Sequence, residues 1–279
     1  MQTNFSIFDI QSDWLKDEVY IHGIKQEIKE ILVHLGRPTK VAKLIGVSYF
    51  RLKEWPVGRS PISLRDLMQL TSFCSPDFQE KIKLKVDSID IFLSCRYSPR
   101  KIKFPKTLSQ NLAYCVGLIL GDGTLAGNSS NNRGNWFVGL YFDNKTHQLF
   151  YDKIIFEEFN VQTKHMLSTE KCFVSYFCSK PIHWFLRSYF GISNGYKASK
   201  IEIPKVILNS NNKEIQISFL QGLFDSDGTI TKKGIVKYAS TSERISLQVY
   251  DMLNLLEINS KLSRWIKAEK YLPLYAVEL

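Results

Sequence analysis

Apolar residues recur at helical spacing near the start of the chain. Ile24, Ile28, Ile31 and Leu35 are separated by three or four positions, which is the period of a helix that buries one face. Gly36 follows directly, and a glycine after the last apolar position is a typical helix end. The pattern predicts an amphipathic helix that ends near residue 35.

Three shorter helices are predicted further along. Their spans are Lys40–Ile45, Tyr49–Trp55 and Leu64–Ser72. Ser48 and Ser63 stand directly before the second and third spans, where a serine hydroxyl can cap the N-terminus of a helix. Together with the first helix, these spans indicate a small all-α domain.

The later part of the chain alternates between strand-like and helix-like patterns. Trp136–Phe142 and Phe173–Phe177 are rich in the aromatic and branched residues that strands favour. Lys145–Phe159 and Pro181–Phe190 have helical periodicity, and the Gly- and Asn-rich stretch Gly127–Gly134 is typical of a hairpin tip. This mixture predicts an α+β domain after the helical one.

A short motif occurs twice in this α+β region. Cys115–Gly123 reads CVGLILGDG, and Leu220–Gly228 reads LQGLFDSDG. The Gly-Leu pair and the final Asp-Gly are in register, with Asp122 and Asp227 separated by 227 − 122 = 105 residues. A single Asp-Gly is an ordinary signal for a helix end and a hairpin. Two copies in register favour a shared functional site.

Small residues four positions apart lie within each motif. They are Gly117 with Gly121 in the first copy, and Gly222 with Ser226 in the second. Small residues at this spacing let two helix backbones approach closely. If the two helices pack side by side about a pseudo-twofold axis, their terminal aspartates end close together. Two such carboxylates can bind hard divalent cations, and metal ions beside a phosphate can activate water.

Composition points to nucleic acid as the first partner to test. The 279 residues include 37 Lys and Arg against 27 Asp and Glu, for a formal net charge of +10 and a pI near 9.2. A merely basic globular protein would have the same composition. No apolar stretch approaches the ~18 residues of a membrane helix, and no secretory signal is visible. The five scattered cysteines are those of a reduced, cytoplasmic protein.

The paired motifs resemble those of the LAGLIDADG homing endonucleases in their single-chain, two-motif form. The second copy is a near-ideal match, and the first departs at Leu120, where the family often has an acidic residue. The resemblance extends over about Lys103–Leu279. It implies two pseudo-symmetric αββαββα halves whose antiparallel sheets lie over double-stranded DNA. It also implies a monomer that cleaves both strands with Mg²⁺ or Mn²⁺.

The same resemblance implies a divalent-metal site at the two motif ends. The final acidic residue of each motif is the metal ligand, which maps to Asp122 and Asp227, with the preceding Gly121 and Ser226 beside them. Asp225 has no acidic counterpart in the first copy. It is interpreted as local structure or as a cap at the motif end.

Three further catalytic residues follow from the resemblance. A polar residue after the second strand of each half holds the water network, and it maps to Asn144 and Ser242. A lysine that opens the third helix lies near the scissile phosphate, and it maps to Lys180. The plain alternatives are helix caps for the first two residues and a surface lysine for the third. The second half is short at its C-terminus, with Glu278 near the position expected for its lysine, which puts cleavage of both strands in doubt.

A second motif precedes the endonuclease region. Ala42, Gly46 and Leu52 have the spacing of a bihelical turn, in which alanine permits close helix crossing and glycine takes the left-handed turn. The segment resembles the helix-turn-helix modules of bacterial and archaeal regulators, and a helical hairpin with a chance match is the alternative. The predicted DNA-contacting residues of the whole chain are Arg37, Lys40, Lys43, Tyr49, Arg51, Lys53, Arg59, Lys101, Lys103, Arg133, Lys232, Lys233 and Lys237.

We therefore predict a helix-turn-helix domain over residues 1–95, a basic linker over 96–108 and an endonuclease domain over 109–279. The two halves of the latter are expected at about 109–198 and 199–279. The predicted function is site-specific hydrolysis of phosphodiester bonds in duplex DNA, of the kind that serves intron or intein homing. The alternative is a non-catalytic or weakly nicking DNA-binding regulator, or an RNA maturase, on the same fold.

Overall fold

The computed structural model describes residues 4–10, 18–95, 98–127, 136–169, 172–195, 199–266 and 272–279. Two compact units make up the chain, Asn4–Thr107 and Leu108–Leu279. None of the described helices is long and apolar enough to cross a lipid bilayer.

The N-terminal unit combines helices with an antiparallel sheet. Its helices are α1 (Lys25–Leu35), α2 (Pro38–Leu44), α3 (Tyr49–Glu54), α4 (Leu64–Ser72) and α5 (Pro76–Ser88), with a 3-10 turn at Ile7–Asp9. Its strands are β1 (Val19–His22), β2 (Ile62–Ser63), β3 (Phe92–Cys95) and β4 (Ser98–Lys103). The sheet order is β2-β1-β3-β4.

This sheet corrects the prediction of an all-α domain. β1 has four residues, β2 has two and β3 has four. Alternation between a buried and a solvent-facing side needs about four to eight positions before it can be told from chance. In β1, only Val19 and Ile21 are buried, so the alternation of buried and solvent-facing residues rests on two buried positions. The longer helices therefore dominated the sequence pattern.

Six residues of the stretch predicted as a basic linker form an edge strand, β4. It pairs with β3, and the side chains of Ile102 and Phe104, at and just after its end, are buried. Arg100 and Lys101 on the same segment are exposed. Because Lys101 and Ile102 are successive and point to opposite faces of the strand, one segment can present a basic group to water and still contribute to the core. A run of Lys and Arg was therefore weak evidence for a linker.

The helices around the bihelical turn lie close to their predicted spans, although α2 begins two residues early. The hydroxyl oxygens of Ser48 and Ser63 accept hydrogen bonds from the backbone N–H of Arg51 (3.2 Å) and Asp66 (3.0 Å). Both serines are thus the helix caps that were predicted. Gly46 has a φ of 69°, which is the left-handed turn that glycine adopts without strain.

The C-terminal unit contains two four-stranded antiparallel sheets. Its helices are α6 (Gln110–Gly121), α7 (Lys145–Phe159), α8 (Lys180–Phe190), α9 (Lys205–Leu208), α10 (Lys213–Asp227) and α11 (Glu243–Leu255). Its strands are β5 (Gly123–Ala126), β6 (Phe137–Phe142), β7 (Lys164–Thr169), β8 (Cys172–Cys178), β9 (Gly228–Ile230), β10 (Val236–Ser240), β11 (Lys261–Trp265) and β12 (Leu274–Glu278). The sheet orders are β5-β6-β8-β7 and β11-β12-β10-β9.

The two halves of this unit have the same order of elements. The first half runs α6-β5-β6-α7-β7-β8-α8, which is the predicted αββαββα sequence. The second half runs α10-β9-β10-α11-β11-β12, and Glu278 ends its last strand. The predicted α+β fold with two related halves is confirmed.

The motif helices form the centre of the C-terminal unit. α6 is buried along most of its length, including Leu112, Val116 and Ile119, and α10 packs along it. α7 contacts the first sheet, and α11 contacts the second. The core thus holds the two motifs side by side and leaves their C-terminal ends at its edge.

Candidate active site

The two motif helices are in backbone contact at Gly117 and Gly222. A Cβ atom built on Gly117 would lie 2.7 Å from the backbone nitrogen of Leu223. One built on Gly222 would lie 2.9 Å from the carbonyl carbon of Tyr114. Close-packed interiors leave no room for an atom at such distances, so glycine is required for this helix crossing. The predicted contact between Gly117 and Gly222 is confirmed.

Close packing continues to the helix ends that carry the aspartates. A Cβ built on Gly121 would lie 2.6 Å from the Cβ of Ser226 and 3.2 Å from the carboxyl carbon of Asp227. Asp122 follows Gly121 directly as the C-cap of α6, and it is exposed. The two motif carboxylates therefore stand on adjacent helix ends.

Strand register places Asn144 and Ser242 in equivalent positions at the aspartate end of each sheet. The glycine of each Asp-Gly pair is opposite a residue of the next strand, Leu140 in the first half and Tyr238 in the second. Asn144 and Ser242 each lie four residues beyond that partner (144 − 140 and 242 − 238). The mapping of these two residues onto one another therefore agrees with the sheets.

Both side chains also cap the helix that follows them. The Oδ1 of Asn144 accepts a hydrogen bond from the N–H of Thr146 at 2.7 Å, and Asn144 is exposed. The Oγ of Ser242 accepts from the N–H of Ile245 at 3.5 Å and donates to the carbonyl of Ile201 at 2.7 Å. Only 1% of Ser242 is exposed. Asn144 stays accessible to solvent, whereas the hydroxyl of Ser242 is committed to backbone partners.

Lys180 opens α8 at the other end of the first sheet. β8 ends at Cys178 opposite Phe137, and Phe137 is in turn opposite Ala126, the last residue of β5. β5 therefore carries the chain about 10 Å away from the Asp-Gly end. The Nζ of Lys180 lies 5.2 Å from the centre of the Trp136 ring, and the residue is 7% exposed. The register therefore places Lys180 at the opposite end of the first sheet from the Asp-Gly pair, and its role near a scissile phosphate stays a prediction.

A hydrogen bond links the motif helices on one side of the pseudo-twofold axis. The hydroxyl of Tyr114 donates to the Oδ2 of Asp225 at 2.8 Å. The 105-residue offset relates these positions to Phe219 and Leu120 (114 + 105 and 225 − 105), both buried and unable to form such a bond. Asp225 is therefore an acceptor between helices, which corrects its interpretation as local structure or a cap. Leu120 is the position at which the first motif departs from the family pattern. The residue of α10 that the same symmetry places opposite it is Phe219, which has no hydroxyl to donate.

Sequence reasoning missed a tyrosine near the second motif aspartate. Tyr238 is fully buried, its ring lies 5.7 Å from that of Phe224, and it is opposite Gly228 in the register. Burial, and then the negative charge of Asp227, raise the pKa of Tyr238 well above its ordinary value. A neutral phenol thus lies near the aspartate end of the second sheet. Its strand offers no sequence signal that separates it from an ordinary core tyrosine.

The donors at the motif ends fit a hard divalent cation. Magnesium is commonly held by one or two carboxylates, with water and phosphate oxygens in the other positions. The Oγ of Ser226 donates its hydrogen to the carbonyls of Gly222 (3.1 Å) and Leu223 (3.0 Å), which leaves the lone pairs of this oxygen available to a metal ion. Within the described part of the chain, no three His, Cys, Asp or Glu side chains are grouped as metal ligands. Asp122 and Asp227 are therefore the residues that would hold a metal ion, with Gly121 and Ser226 directly before them.

A buried histidine lies near the start of α8. His183 has no exposed surface, and its ring centre is 4.9 Å from that of Trp136. Burial, and then the positive charge of Arg187, lower the pKa of His183 to about 4 from an ordinary value of 6.5, against a smaller opposing effect of Asn194. The folded state therefore favours the neutral imidazole. Its contribution to stability is present above pH 6.5 and is lost as the pH falls towards 4.

This shift predicts acid sensitivity of the C-terminal unit. We expect the free energy of unfolding to fall by about 2 kcal/mol between pH 7 and pH 5, measured by urea denaturation at both pH values. In His183→Phe the difference between the two pH values should shrink by that amount. In the control His147→Phe, at an exposed position, it should stay as in the wild type. Equal pH dependence in all three proteins would contradict the assignment to His183.

The predicted DNA-contacting residues of the helix-turn-helix lie on the surface. Leu52 and Trp55 anchor α3 in the core, and the outward residues of the segment are exposed. Arg51 pairs with Asp66, with its Nη2 2.8 Å from the Oδ2. The exposed predicted contacts of this segment are Arg37, Lys40, Lys43, Tyr49, Arg51, Lys53 and Arg59.

The other predicted DNA contacts are on strands and turns. Lys101 is exposed and Lys103 half-buried on β4, and Lys232 and Lys233 are exposed in the turn between β9 and β10. The Nζ of Lys237 lies 3.1 Å from the Oε1 of Glu278 and 5.2 Å from the centre of the Trp265 ring. Arg133 and most of the predicted hairpin tip lie outside the described residues.

Two curated proteins resemble this chain over part of their length. It is 28% identical over 162 residues to the DNA polymerase of Thermococcus sp. (strain GE8), covering 56% of this chain and 9% of the polymerase. It is 24% identical over 210 residues to the glutamine–fructose-6-phosphate aminotransferase (isomerizing) of Methanocaldococcus jannaschii, covering 74% of this chain and 17% of that enzyme. The chain thus spans less than a fifth of either relative, and the two relatives have different activities.

Solved structures and a family model complete the comparison. The chain is similar to the crystal structure of I-DmoI in complex with DNA and Mn, with a TM-score of 0.46 and 20% identity over 61% of this chain and 89% of that one. Residues 214–279, which begin at the second residue of α10 and extend to the end of β12, match the model of the LAGLIDADG-like domain. The resemblance expected from the sequence is thus confirmed for residues 214–279, which contain the second motif and match the model of the LAGLIDADG-like domain.

Proposed function

We propose that this chain is an endonuclease that cuts duplex DNA at a specific site and depends on a divalent metal ion. The observation that carries the proposal is the pair of motif carboxylates on adjacent helix ends. The glycine crossing of α6 and α10 fixes those ends beside each other, at the edge of the core. Oxygen donors so arranged suit Mg²⁺ or Mn²⁺ together with a phosphate group.

The residues at this edge have separate tasks in the proposed reaction. Asp122 and Asp227 would hold the metal ion, which supplies charge stabilisation at the leaving oxygen and an activated water. The amide of Asn144 is exposed at the aspartate end of the first sheet and would orient that water. Ser242, which is buried and bonded to Ile201, keeps the start of α11 in place on the second side. The two halves therefore contribute unequal polar groups to the reaction.

The net charge of the chain and its sequence similarity to segments of two different enzymes support DNA as the substrate. The net charge is +10, and exposed lysines and arginines lie on both units. We assign DNA binding to the helix-turn-helix of the N-terminal unit and to the sheet surfaces of the other unit. Similarity to short segments of two unrelated enzymes fits an element that inserts into different host genes. Intron or intein homing is such a process.

A cleavage selection from random sequences tests the proposal and finds the target in the same experiment. The full chain is incubated with a plasmid library of random inserts, with Mg²⁺ or with EDTA, and the cut ends are sequenced. We expect ends at one shared sequence in Mg²⁺ and none in EDTA. A library that stays uncut in both Mg²⁺ and Mn²⁺ would contradict the proposal.

The committed hydroxyl of Ser242 and the distance of Lys180 from the aspartate end favour one other function. With fewer polar groups at the aspartate end, the fold could bind nucleic acid without cutting it efficiently. The second candidate is therefore a non-cleaving or weakly nicking DNA-binding regulator, or an RNA maturase. Retention of specific duplexes or of RNA by a chain that leaves the library uncut would favour this candidate.

A substitution of Lys180 distinguishes two possibilities. The motif implies that this lysine acts at the scissile phosphate, whereas the strand register implies that it lies away from the motif aspartates. Lys180→Met keeps an aliphatic stem against Trp136 and removes the charge. Because β5 separates Lys180 from the aspartates, we expect cleavage to slow by less than about tenfold. A lysine at the scissile phosphate would cost about 10²–10³ in rate. Single-turnover kinetics on the selected target separate the two results, with the exposed Lys153→Met as the matched control.

A further inference from the structure

A phenylalanine protrudes from the surface of the helix-turn-helix. The side chain of Phe50 is 80% exposed on α3. Leu52 and Trp55, at and just after the end of the same helix, are 0% and 1% exposed, and they fix the orientation of α3 against the core. A large ring held in water in this way forgoes about 1.5–3 kcal/mol of burial. Its position is therefore unexplained by the packing of the unit.

The segment that carries this ring is basic, as a surface that binds a polyanion would be. Between residues 37 and 59 there are six basic residues and one acidic residue, Glu54. Arg51, one of the six, is held by Asp66 at 2.8 Å, and its guanidinium carbon lies 5.6 Å from the centre of the Trp55 ring. The others are exposed, and they are Arg37, Lys40, Lys43, Lys53 and Arg59. An exposed apolar ring on a basic segment is complementary to a base edge of a polyanionic duplex.

We propose that α3 reads thymine methyl groups in the major groove of DNA through the ring of Phe50. This inference rests on the proposed function, and it adds a specificity-determining residue to it. In the major groove, guanine, cytosine and adenine present hydrogen-bonding atoms, whereas thymine also presents a C5-methyl group. A phenyl ring cannot hydrogen-bond, so thymine is the base edge that it complements. Phe50 is the second residue of α3, and the first residues of a recognition helix are those that reach base edges.

Neighbouring side chains fit the same orientation. The Nζ of Lys53 lies 5.1 Å from the centre of the Tyr49 ring, and the Tyr49 ring centre lies 6.1 Å from that of Phe50. Tyr49 is 38% exposed and carries a hydroxyl that can donate or accept. Lys53 suits a phosphate or a guanine. We therefore expect the DNA target of α3 to contain a thymine beside a base or phosphate that can form hydrogen bonds with Tyr49 or Lys53.

Replacing thymine with uracil tests the inference, because uracil lacks only the methyl group. The full chain first selects its duplex from a random pool in EDTA, where no cleavage occurs. Synthetic duplexes of that sequence then carry dU in place of each dT in turn. We expect wild-type binding to weaken about three- to fivefold at one or two of these positions. Phe50→Ala should bind the dT and dU forms of those duplexes equally.

Val57→Ala is the matched control, because Val57 is an exposed apolar residue of the same unit that lies outside α3. This variant should keep the wild-type ratio between dT and dU duplexes. Phe50→Ala should also melt within about 2 °C of the wild type, since it removes an exposed side chain. A wild type that binds dT and dU duplexes equally would overturn the inference. An unchanged ratio in Phe50→Ala would overturn it as well.

The outcomes separate this inference from the proposed function. If the chain selects a duplex and cuts it in Mg²⁺ but ignores the thymine methyl groups, only the role of Phe50 fails. If it neither selects nor cuts any duplex, the proposed function fails, and the inference fails with it.

Discussion

Asp122→Asn and Asp227→Asn should each abolish cleavage of the selected target, with a loss of at least about 10³ in rate. Asparagine has nearly the shape of aspartate, so the crossing of α6 and α10 should persist while one negative oxygen ligand is lost. Since both carboxylates border one site, either change should stop cleavage of both strands. Single-turnover cleavage of supercoiled plasmid in Mg²⁺, with nicked and linear products followed separately, measures the loss.

Asp225→Asn provides the control for these variants. Asp225 is two residues from Asp227 on the same helix and is exposed. Its carboxylate accepts a hydrogen bond from Tyr114 and is not one of the proposed metal ligands. This variant should cut within about tenfold of the wild-type rate. Each Asp→Asn protein should still bind the target in a gel-shift assay. Cleavage by Asp227→Asn at a near wild-type rate would show that the pair of carboxylates is not required for cleavage.

Gly222→Val should lower the free energy of unfolding of the C-terminal unit by about 3 kcal/mol or more. Even the first added carbon would meet the backbone of Tyr114 and lie 3.1 Å from the nitrogen of Leu118. Backbone cannot rotate away as a side chain can, so the two helices must separate. For a unit of this size, the melting temperature should fall by about 6–12 °C, which calorimetry can measure.

Gln221→Val carries the same new side chain at the preceding position of α10. Gln221 is exposed, so this variant should melt within about 2 °C of the wild type. Cleavage gives a second measurement, because a wider crossing moves one motif aspartate away from the other. If Gly222→Val melted like Gln221→Val, the close crossing of the motif helices would be wrong.

Local signals accounted for the parts of the fold that the sequence predicted well. The span of α7 was predicted residue for residue, because a helix of this length shows its period several times and Asn144 marks its start. The glycine crossing followed from residue spacing within a single motif. Both predictions depend on residues that are close in the chain.

The missed features depend on residues that are distant in the chain. The bond between Tyr114 and Asp225 joins positions 111 residues apart, and only the packed helices bring them together. Lys180 has the right place in the order of elements, but strand register decides which end of the sheet it occupies. The N-terminal sheet was missed for a third reason, since its strands are shorter than the pattern that would identify them.

The hydrogen bond between Tyr114 and Asp225 is available when α6 pairs with α10, but not when either helix pairs with a copy of itself. If α6 met a second α6, the hydroxyl of Tyr114 would face Leu120. If α10 met a second α10, the carboxylate of Asp225 would face the ring of Phe219. Each self-association leaves a polar group without the acceptor or donor that it has in the mixed pair, and specificity of this kind rests on penalising the wrong pairing. The glycines permit any combination, so the tyrosine and the aspartate favour the mixed pairing of α6 with α10.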